Sequence, residues 1–388
     1  MLFERQKMSL KRISYFEFKN DPRYWEFKDI DFVSINLIVG VNATGKTRML
    51  NVINGICNIL SAKRPAIFLS GTYDFDVLLD EELYNMKIEF DSGIVVAEEL
   101  VVDGTLRLSR TKDGRGKIYY AKERKTIDFQ VPQNTVAFQQ RRDNLQHPFI
   151  VKLAEWADKC ELLPFASFGN TELMALSALQ TQDTTHDLRA KNLVKSYFQA
   201  FEQFGDPFDK ALIRDMKCLG YNLIDVSASD IRGIHPEIKI SEAVLGICVT
   251  ERQVENKKKS RDLQLSQLQM SQGMYRALSL VIYLNIWSMS NRPTLLLVDD
   301  IGEGLDFDRS TSIIDLLTRH SEKSTHQVIM TSNDRFVMNK VPLEYWTVLS
   351  RKAGFVKAFT SRSNPREFKD FEYMGLSNFD FFKSNKLH

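Results

Sequence analysis

Cysteine is scarce in this chain: four in 388 residues, Cys57, Cys160, Cys218 and Cys248, with no pair at CxxC spacing. That scatter argues against a disulfide framework and against a thiolate zinc site. An excess of charge of one sign is also missing, because 52 basic residues face 50 acidic ones. With a formal charge of +2, contact with nucleic acid or an anionic membrane has to use a local patch. Long apolar runs are lacking too. The longest, Ala277 to Trp287, is interrupted by Ser279 and Asn285, and the opening MLFERQKMSLKR has no apolar core of a signal peptide. The expectation is a soluble, cytoplasmic protein that stays out of membranes. Six histidines, His147, His186, His235, His320, His326 and His388, are dispersed without an HxxxH pair and are expected in loops or on the surface. What the chain does contain is 43% apolar residues, enough for the buried cores of one large or two moderate domains.

Residues 31–60 read as a buried strand, SINLIVG, a turn, VNATG, and a helix with Met49, Leu50, Ile53, Ile56 and Leu60 at helical spacing. From residue 84 to about 140, short runs (MKIEF, GIVVAEELVV, TLRLS, KIYYA, TIDFQ, TVAF) predict an antiparallel sheet, with Asp103-Gly104 and Asp113-Gly114 as hairpin turns. Pro148 to about Leu219 reads as helical, through LAEWADKC, ELMALSAL and LVKSYFQAFEQF, broken by loops carrying Pro164 and Pro207. A strand at AVLGICVTE precedes VENKKKSRDLQ, whose charge predicts an exposed loop. TLLLV, SIIDLLTRH and QVIMTS then alternate strand, helix, strand, as in a parallel sheet with crossover helices. The aromatic tail, with Phe379, Phe381 and Phe382, either packs back on its own domain or receives a partner.

Gly40-Val41-Asn42-Ala43-Thr44-Gly45-Lys46-Thr47 fits GxxxxGK[ST] and lies between a predicted strand and a predicted helix, the context in which that pattern has meaning. Its glycines allow a tight turn, so the amides from Gly40 through Asn42, Ala43, Thr44 and Gly45 can face phosphate oxygens. Lys46 brings charge to the β and γ phosphates, and Thr47 offers a hydroxyl to magnesium. TLLLVDD leaves Asp299 and Asp300 at the carboxyl end of a buried strand, the edge where ligands sit in α/β sheets. Asp299 is expected in the magnesium shell and Asp300 beside the attacking water as general base.

LQMSQGMYRALSLVIYL followed by TLLLVDDIGEGLD resembles the signature, Walker B and D-loop series of ABC-class ATPases, in particular the SMC and RecF-like branch. The likeness covers residues 8–60 and 260–360 or so. It implies an α/β fold of the ABC-type P-loop NTPase kind: a mixed sheet, an antiparallel β subdomain and a helical lobe. The implied divisions are residues 1–144 and 236–362 for the ATPase lobe, 145–235 for the helical lobe and 363–388 for the tail. It implies ATP and Mg2+ as cofactors, and a homodimer or higher oligomer in which Ser271 and the Gly273 amide bind the γ-phosphate held by another subunit. Gly304-Leu305-Asp306 resembles the D-loop along that interface. Of Gln139 and Gln140, the resemblance favours Gln140 for the Q-loop glutamine that touches the metal and couples nucleotide to lobe movement. QVIMTSND resembles the switch strand, with Asn333 where relatives carry histidine. Asparagine can donate to a phosphate oxygen and cannot take up a proton. Relatives also carry glutamate at the base position. Asp300 is shorter by one methylene, about 1.5 Å of reach, which implies slow hydrolysis and a long-lived closed state. Tyr15, Tyr24 and Trp25 are candidates for stacking on adenine, and an amphipathic strand accounts for them equally well.

The interval from Lys46 to Ser271, 225 positions, is longer than a transporter's nucleotide-binding domain needs, and it lacks the long coiled coil of SMC proteins. The chain resembles compact bacterial ATPases similar to RecF or to the ATPase components of anti-phage systems of the Septu and retron-associated kind. That implies control of a protein effector, a nuclease or toxin encoded nearby. The alternative is a RecF-like DNA-binding ATPase of repair or recombination, with Lys257, Lys258, Lys259 and Arg261 as contacts. A third reading is a scaffold that binds ATP without turning it over.

Overall fold

The structure, a computed structural model, describes residues 8–63, 69–171, 173–175, 192–235, 237–238, 241–256, 259–290, 295–324, 326–372 and 376–383. In chain order it begins with β1 (Met8–Glu17), β2 (Trp25–Asp31), β3 (Ile35–Val39) and α1 (Lys46–Leu60). Strands β4 (Ser70–Leu79), β5 (Glu82–Asp91), β6 (Ile94–Val102), β7 (Thr105–Arg110), β8 (Arg115–Tyr120) and β9 (Lys125–Gln130) follow. The middle holds α2 (Ala137–Gln140), α3 (Pro148–Asp158), β10 (Cys160–Pro164), β11 (Met174–Ala175), α4 (Leu193–Phe204), α5 (Asp206–Cys218), β12 (Leu223–Asp230), β13 (Val244–Asn256) and β14 (Lys259–Ser266). Then come α6 (Gln272–Met289), β15 (Leu295–Asp299), α7 (Phe307–Ser324), β16 (Gln327–Thr331), α8 (Arg335–Lys340), β17 (Trp346–Lys352), β18 (Phe355–Thr360), α9 (Pro365–Glu372) and α10 (Asn378–Lys383).

Apolar runs without alternation form the parallel part of a mixed sheet, β10-β15-β16-β3-β17. Both faces of these strands are covered. Along β15, Leu295 and Leu297 join the core under α1 and α3, while Leu296 and Val298 join the core under α4 to α7. The sheet continues without a break through β18, β2, β1 and β4 to β9, fourteen strands in all. The antiparallel strands expected from residue 84 onward are therefore an extension of this sheet by hydrogen bonding. Asp103-Gly104 turns between β6 and β7 with both residues at positive φ, 45° and 73°, as a two-residue hairpin requires. Strand β4 was not read from the sequence, although Tyr73, Phe75, Val77 and Leu79 alternate along it and are buried; its turn into β5, Asp80-Glu81, takes positive φ without a glycine.

Several expected elements differ. TVAF leads into a short helix instead of a strand, since the Ala137 and Phe138 amides donate to the buried Glu98 carboxylate at 2.8 and 2.7 Å. A carboxylate there satisfies amides that a helix leaves free at its start. Within the stretch read as helical, CELLP is the edge strand β10, and Pro164 takes its last position, opposite Asp299. An edge strand tolerates the missing N–H. Of ELMALSAL, Met174 and Ala175 form β11 against β13, Leu173 adjoins them and the rest lies outside the described residues. Within VENKKKSRDLQ, residues 254–256 and 259–264 are strand, not loop, where β13 and β14 pair as a hairpin within a four-stranded antiparallel sheet; Lys257 and Lys258 lie outside the described residues. The tail packs back, Phe381 being 2% exposed with its ring 4.7 and 4.8 Å from those of Phe368 and Phe371.

Helix α6 carries the longest apolar run and is buried nearly all round, which requires partners for its polar positions. Ser279 donates to the Tyr275 carbonyl at 2.7 Å, and Asn285 donates to Asp215 of α5 at 2.9 Å. Asp215 also receives His320 Nε2 of α7 at 3.0 Å and Arg214 Nε at 3.0 Å, so one carboxylate ties three helices. Among the described residues no helix is long and apolar enough to cross a membrane. His147 and His326 lie in loops, as expected, yet are buried at 1% exposure each, while His320, 7% exposed, sits in α7, contrary to the loop or surface position expected of it.

Burial opposes ionisation of Asp215, yet the hydrogen bonds from His320, Arg214 and Asn285 outweigh it and hold the carboxyl at about 2, below its ordinary 3.8. A depressed folded-state value means stability that is present above about pH 4 and lost as pH falls through about 2. Urea unfolding between those pH values should show an acid loss of about 2 kcal/mol from this group. Asp215→Asn should be less stable at neutral pH and flatter across that window. An unchanged acid limb in the variant would refute the assignment.

Candidate functional site

The loop between β3 and α1 is held by a close approach from below. Ala43 and Gly45 have φ of 66° and 103°. A Cβ at Gly45 would lie 2.8 Å from the Trp25 ring, so conformation and contact both call for glycine there. Trp25 is buried, its ring carries the Arg48 guanidinium at 4.3 Å, and Arg48 pairs with Glu17. On the other side Arg351 of β17 donates to the Ala43 carbonyl at 3.1 Å, beside a cleft of about 400 Å³ lined by Val41 to Thr44 and Ser350, Arg351 and Ala353. Lys46 Nζ donates to the Gly40 carbonyl at 2.8 Å and is 7% exposed. Burial lowers its pKa, while Asp300 and Asp299 pull the other way. A desolvated ammonium at a helix N-terminus is a strong attractor for an anion entering the loop.

Register brings the second half of the site alongside. Val298, Met330 and Leu37 are neighbours across β15, β16 and β3, so Asp299, Thr331 and the loop after Val39 emerge at one edge. Thr47 Oγ1 donates to Asp299 Oδ1 at 3.1 Å. Thr331, fully buried, donates to the same Asp299 oxygen at 2.6 Å and accepts the Asp300 amide at 2.8 Å. The Ile301 amide donates to the Thr331 carbonyl at 2.9 Å, and Ser332 Oγ donates to the Ile301 carbonyl at 2.8 Å. The end of β16 thus zips the turn that follows β15. Asp300 sits at φ 53°, and burial, then Asp299, raise its pKa against the pull of Lys46. Thr331 and Ser332 were not singled out from the sequence; two hydroxyl residues closing an otherwise apolar strand are the only trace they leave there.

Thr47 and Asp299 are hard oxygen donors in contact, the kind that holds Mg2+ when phosphate and water supply the remaining positions. The donor set fits that ion. Asn333 is exposed at the end of the same β16 turn, and Asp334 after it caps α8 through the Phe336 and Val337 amides, both at 2.8 Å.

Ser271 is the N-cap of α6, its hydroxyl accepting the Met274 amide at 3.2 Å, and it is exposed. Gly273 is pressed against the D-loop turn: a Cβ there would lie 2.7 Å from the Gly304 carbonyl oxygen. The segments that resemble signature and D-loop are therefore in direct contact within one chain.

Gln140 is placed elsewhere. Gln139 donates to the Ile59 carbonyl at 2.6 Å, at the C-terminal end of α1. Fifteen helical residues, about 20 Å, separate that end from Lys46. This corrects its expected place in the metal shell. The segment beside Asp299 is instead the turn after β10, where Asn170 donates to the Met270 carbonyl at 3.2 Å and accepts from Gln272 at 3.2 Å. Tyr15 and Trp25 are buried, while Tyr24 is half-buried with its ring 5.3 Å from that of exposed Phe355. Lys257 and Lys258, like His186 and His388, lie outside the described residues, and Arg261 on β14 is exposed.

Thr331→Val keeps the shape and removes both hydrogen bonds to the aspartate pair. Leaving a donor and an acceptor unmade should reduce stability by about 1–3 kcal/mol in urea unfolding. An unshifted midpoint would mean that water replaces the hydroxyl and that the clasp is dispensable.

No family model matches the chain, and no curated protein matches it. Solved structures of SMC heads are similar to it. One is the SmcHead bound to the C-winged helix domain of ScpA, at 15% identity over 90% of this chain and 97% of that one, TM-score 0.49. Another is the Smc head domain with an extended coiled coil bound to the C-terminal domain of ScpA derived from Pyrococcus furiosus, at 14% identity over 94% and 100%, TM-score 0.48. A third is the SMC head domain from Thermotoga maritima, at 12% identity over 90% and 98%, TM-score 0.41.

Proposed function

We propose that this chain is an ABC-class ATPase whose copies close over ATP in pairs and so control a partner effector, a nuclease or toxin, in bacterial anti-phage defence. The observation that carries the ATPase reading is the meeting of Thr47 and Asp299 at 3.1 Å, with Lys46 and Asp300 close enough to influence each other's protonation. The defence role rests on the resemblance of residues 8–60 and 260–360 to compact bacterial ATPases of that kind.

The amides of Gly40 to Thr47 cradle the phosphates, and Lys46 leaves the Gly40 carbonyl to bind the β and γ oxygens. Thr47 and Asp299 hold Mg2+, which supplies charge neutralisation at the phosphates. Asp300 orients a water for in-line attack on the γ-phosphorus and takes its proton as the bond to ADP breaks. Its raised pKa suits a carboxylate for that task. Asn333 donates to the γ-phosphate. Ser271, exposed, and the Gly273 amide, on a half-buried residue at the start of α6, complete the pocket of a facing copy, and Ser271 gives up its cap bond to do so. ATP is then the adhesive between two chains.

Light scattering on the eluting protein should give twice the mass of one chain with a non-hydrolysable ATP analogue and a single chain's mass without nucleotide. Lys46→Ala should stay single and lose turnover by about 100-fold or more. Ser271→Arg should bind a fluorescent ATP analogue normally and fail to pair. Retention of single-chain mass by wild type at saturating analogue would refute the sandwich, and turnover surviving in Lys46→Ala would refute the ATPase reading.

A further inference from the structure

One guanidinium joins three segments that belong to different parts of the site. Arg276 stands in the first turns of α6, five positions after Ser271. Its Nη1 donates to the Glu303 carbonyl at 2.9 Å and its Nη2 to the Ala166 carbonyl at 2.6 Å. Glu303 lies in the turn from Asp300 to Asp306. Ala166 lies in the 3-10 turn Phe165–Ser167, directly after Pro164, which pairs with Asp299. One hydrogen bond thus ends three residues after Asp300, and the other two residues after the strand partner of Asp299.

The packing leaves little play. A Cβ at Gly304 would lie 2.7 Å from Arg276 Nη1, next to the equally tight approach of Gly273 to the Gly304 carbonyl. Asp300, Gly302 and Gly304 all have positive φ, 53°, 89° and 79°, so the turn belongs to no regular element. Backbone bonds from the Glu303 amide to the Asp300 carbonyl at 3.3 Å and from the Leu305 amide to the Gly302 carbonyl at 3.0 Å fold it, and Thr331 at the start and Arg276 at the far end anchor it. Because Nη1 and Nη2 both face carbonyls of their own chain, Arg276 is not poised as an arginine finger for a facing nucleotide.

The geometry points to Arg276 as a positioning residue that makes the start of α6, the turn 300–306 and the loop after β10 a single unit. A phosphate bound at Ser271 and Gly273 is thereby felt at Asp300 of the same chain. This inference rests on the ATPase reading above and deepens it. In a closed pair, the nucleotide of one copy would set the base that serves the nucleotide of the other, and turnover would be cooperative in ATP.

The test is an ATP titration of turnover, with binding of a fluorescent ATP analogue and thermal unfolding, on wild type, Arg276→Lys and Arg276→Met. Displacement of a reacting group by about 1 Å can cost about 100-fold in rate. Arg276→Met should therefore lose about 10- to 100-fold in kcat and its Hill coefficient should fall toward 1. Affinity for the analogue should stay within about 2-fold. Lysine has one donor group in place of a planar fork and can serve only one of the two carbonyls, so Arg276→Lys should be intermediate. If the methionine variant does not fold, the lysine variant carries the test. Wild-type kcat and Hill coefficient in a folded variant would overturn the role, as would loss of analogue affinity. Lys46→Ala is the separate control: turnover that persists there removes the ATPase reading itself.

Discussion

Thr47 and Asp299 stand 252 positions apart in sequence and meet because β16 lies between β3 and β15 in parallel register. Everything chemical in this structure depends on that strand order. Parallel strands end on the same edge, so the loop after β3, the aspartates after β15 and the hydroxyls closing β16 are delivered to one line. The apolar runs that build these strands have no alternation because helices cover both faces. The same burial that stabilises the sheet therefore fixes the spacing of the polar groups at its edge. Dispersed sequence, not local sequence, makes the site.

The edge alone leaves the turn after β15 undetermined, since Asp300, Gly302 and Gly304 occupy a region of φ that imposes no repeating hydrogen bonds. Two buried or half-buried side chains anchor its ends, beyond the backbone bonds from Glu303 to Asp300 and from Leu305 to Gly302 inside it. Thr331 closes the near end with one hydroxyl used twice, and Arg276 closes the far end with one guanidinium used twice. Asp215 does comparable work deeper in the helical layer, where it joins α5, α6 and α7. Thr331 and Asp215 gain by serving several partners at once, because a buried polar atom with an unmade bond is costly and a fully satisfied one confers order.

Motifs with a fixed local spacing were legible in the sequence. GVNATGKT and TLLLVDD announced their residues because the turn, the helix start and the strand end each demand particular types at particular offsets. Helices α1, α4 and α7 were legible from apolar periodicity. What failed were elements whose reason lies far away in sequence. CELLP reads as the tail of a helix until β15 is beside it, and TVAF reads as a strand until Glu98 offers its carboxylate. The hairpin of β13 and β14 is local and was missed for another reason: its run of lysines, arginine and aspartate has no apolar alternation to mark a strand. Gln140 was favoured because the resemblance expects a glutamine between TVAF and the helical region, but that stretch lies at the wrong end of α1. Thr331 and Arg276 were invisible for the opposite reason: their types are common, and only their partners distinguish them.

The shorter acid at position 300 also takes on a physical sense. Left-handed backbone is disfavoured for most side chains, and aspartate and asparagine tolerate it better than longer residues do. At φ 53°, with its amide bound to Thr331, Asp300 occupies a position where the backbone favours the short carboxylate, whatever reach is lost toward a water. Reach and backbone strain thus oppose each other at one residue. Burial, then Asp299, raise its pKa against the pull of Lys46. In the reaction proposed above, a base that is well held and short fits a site in which the bound state persists and bond cleavage is infrequent.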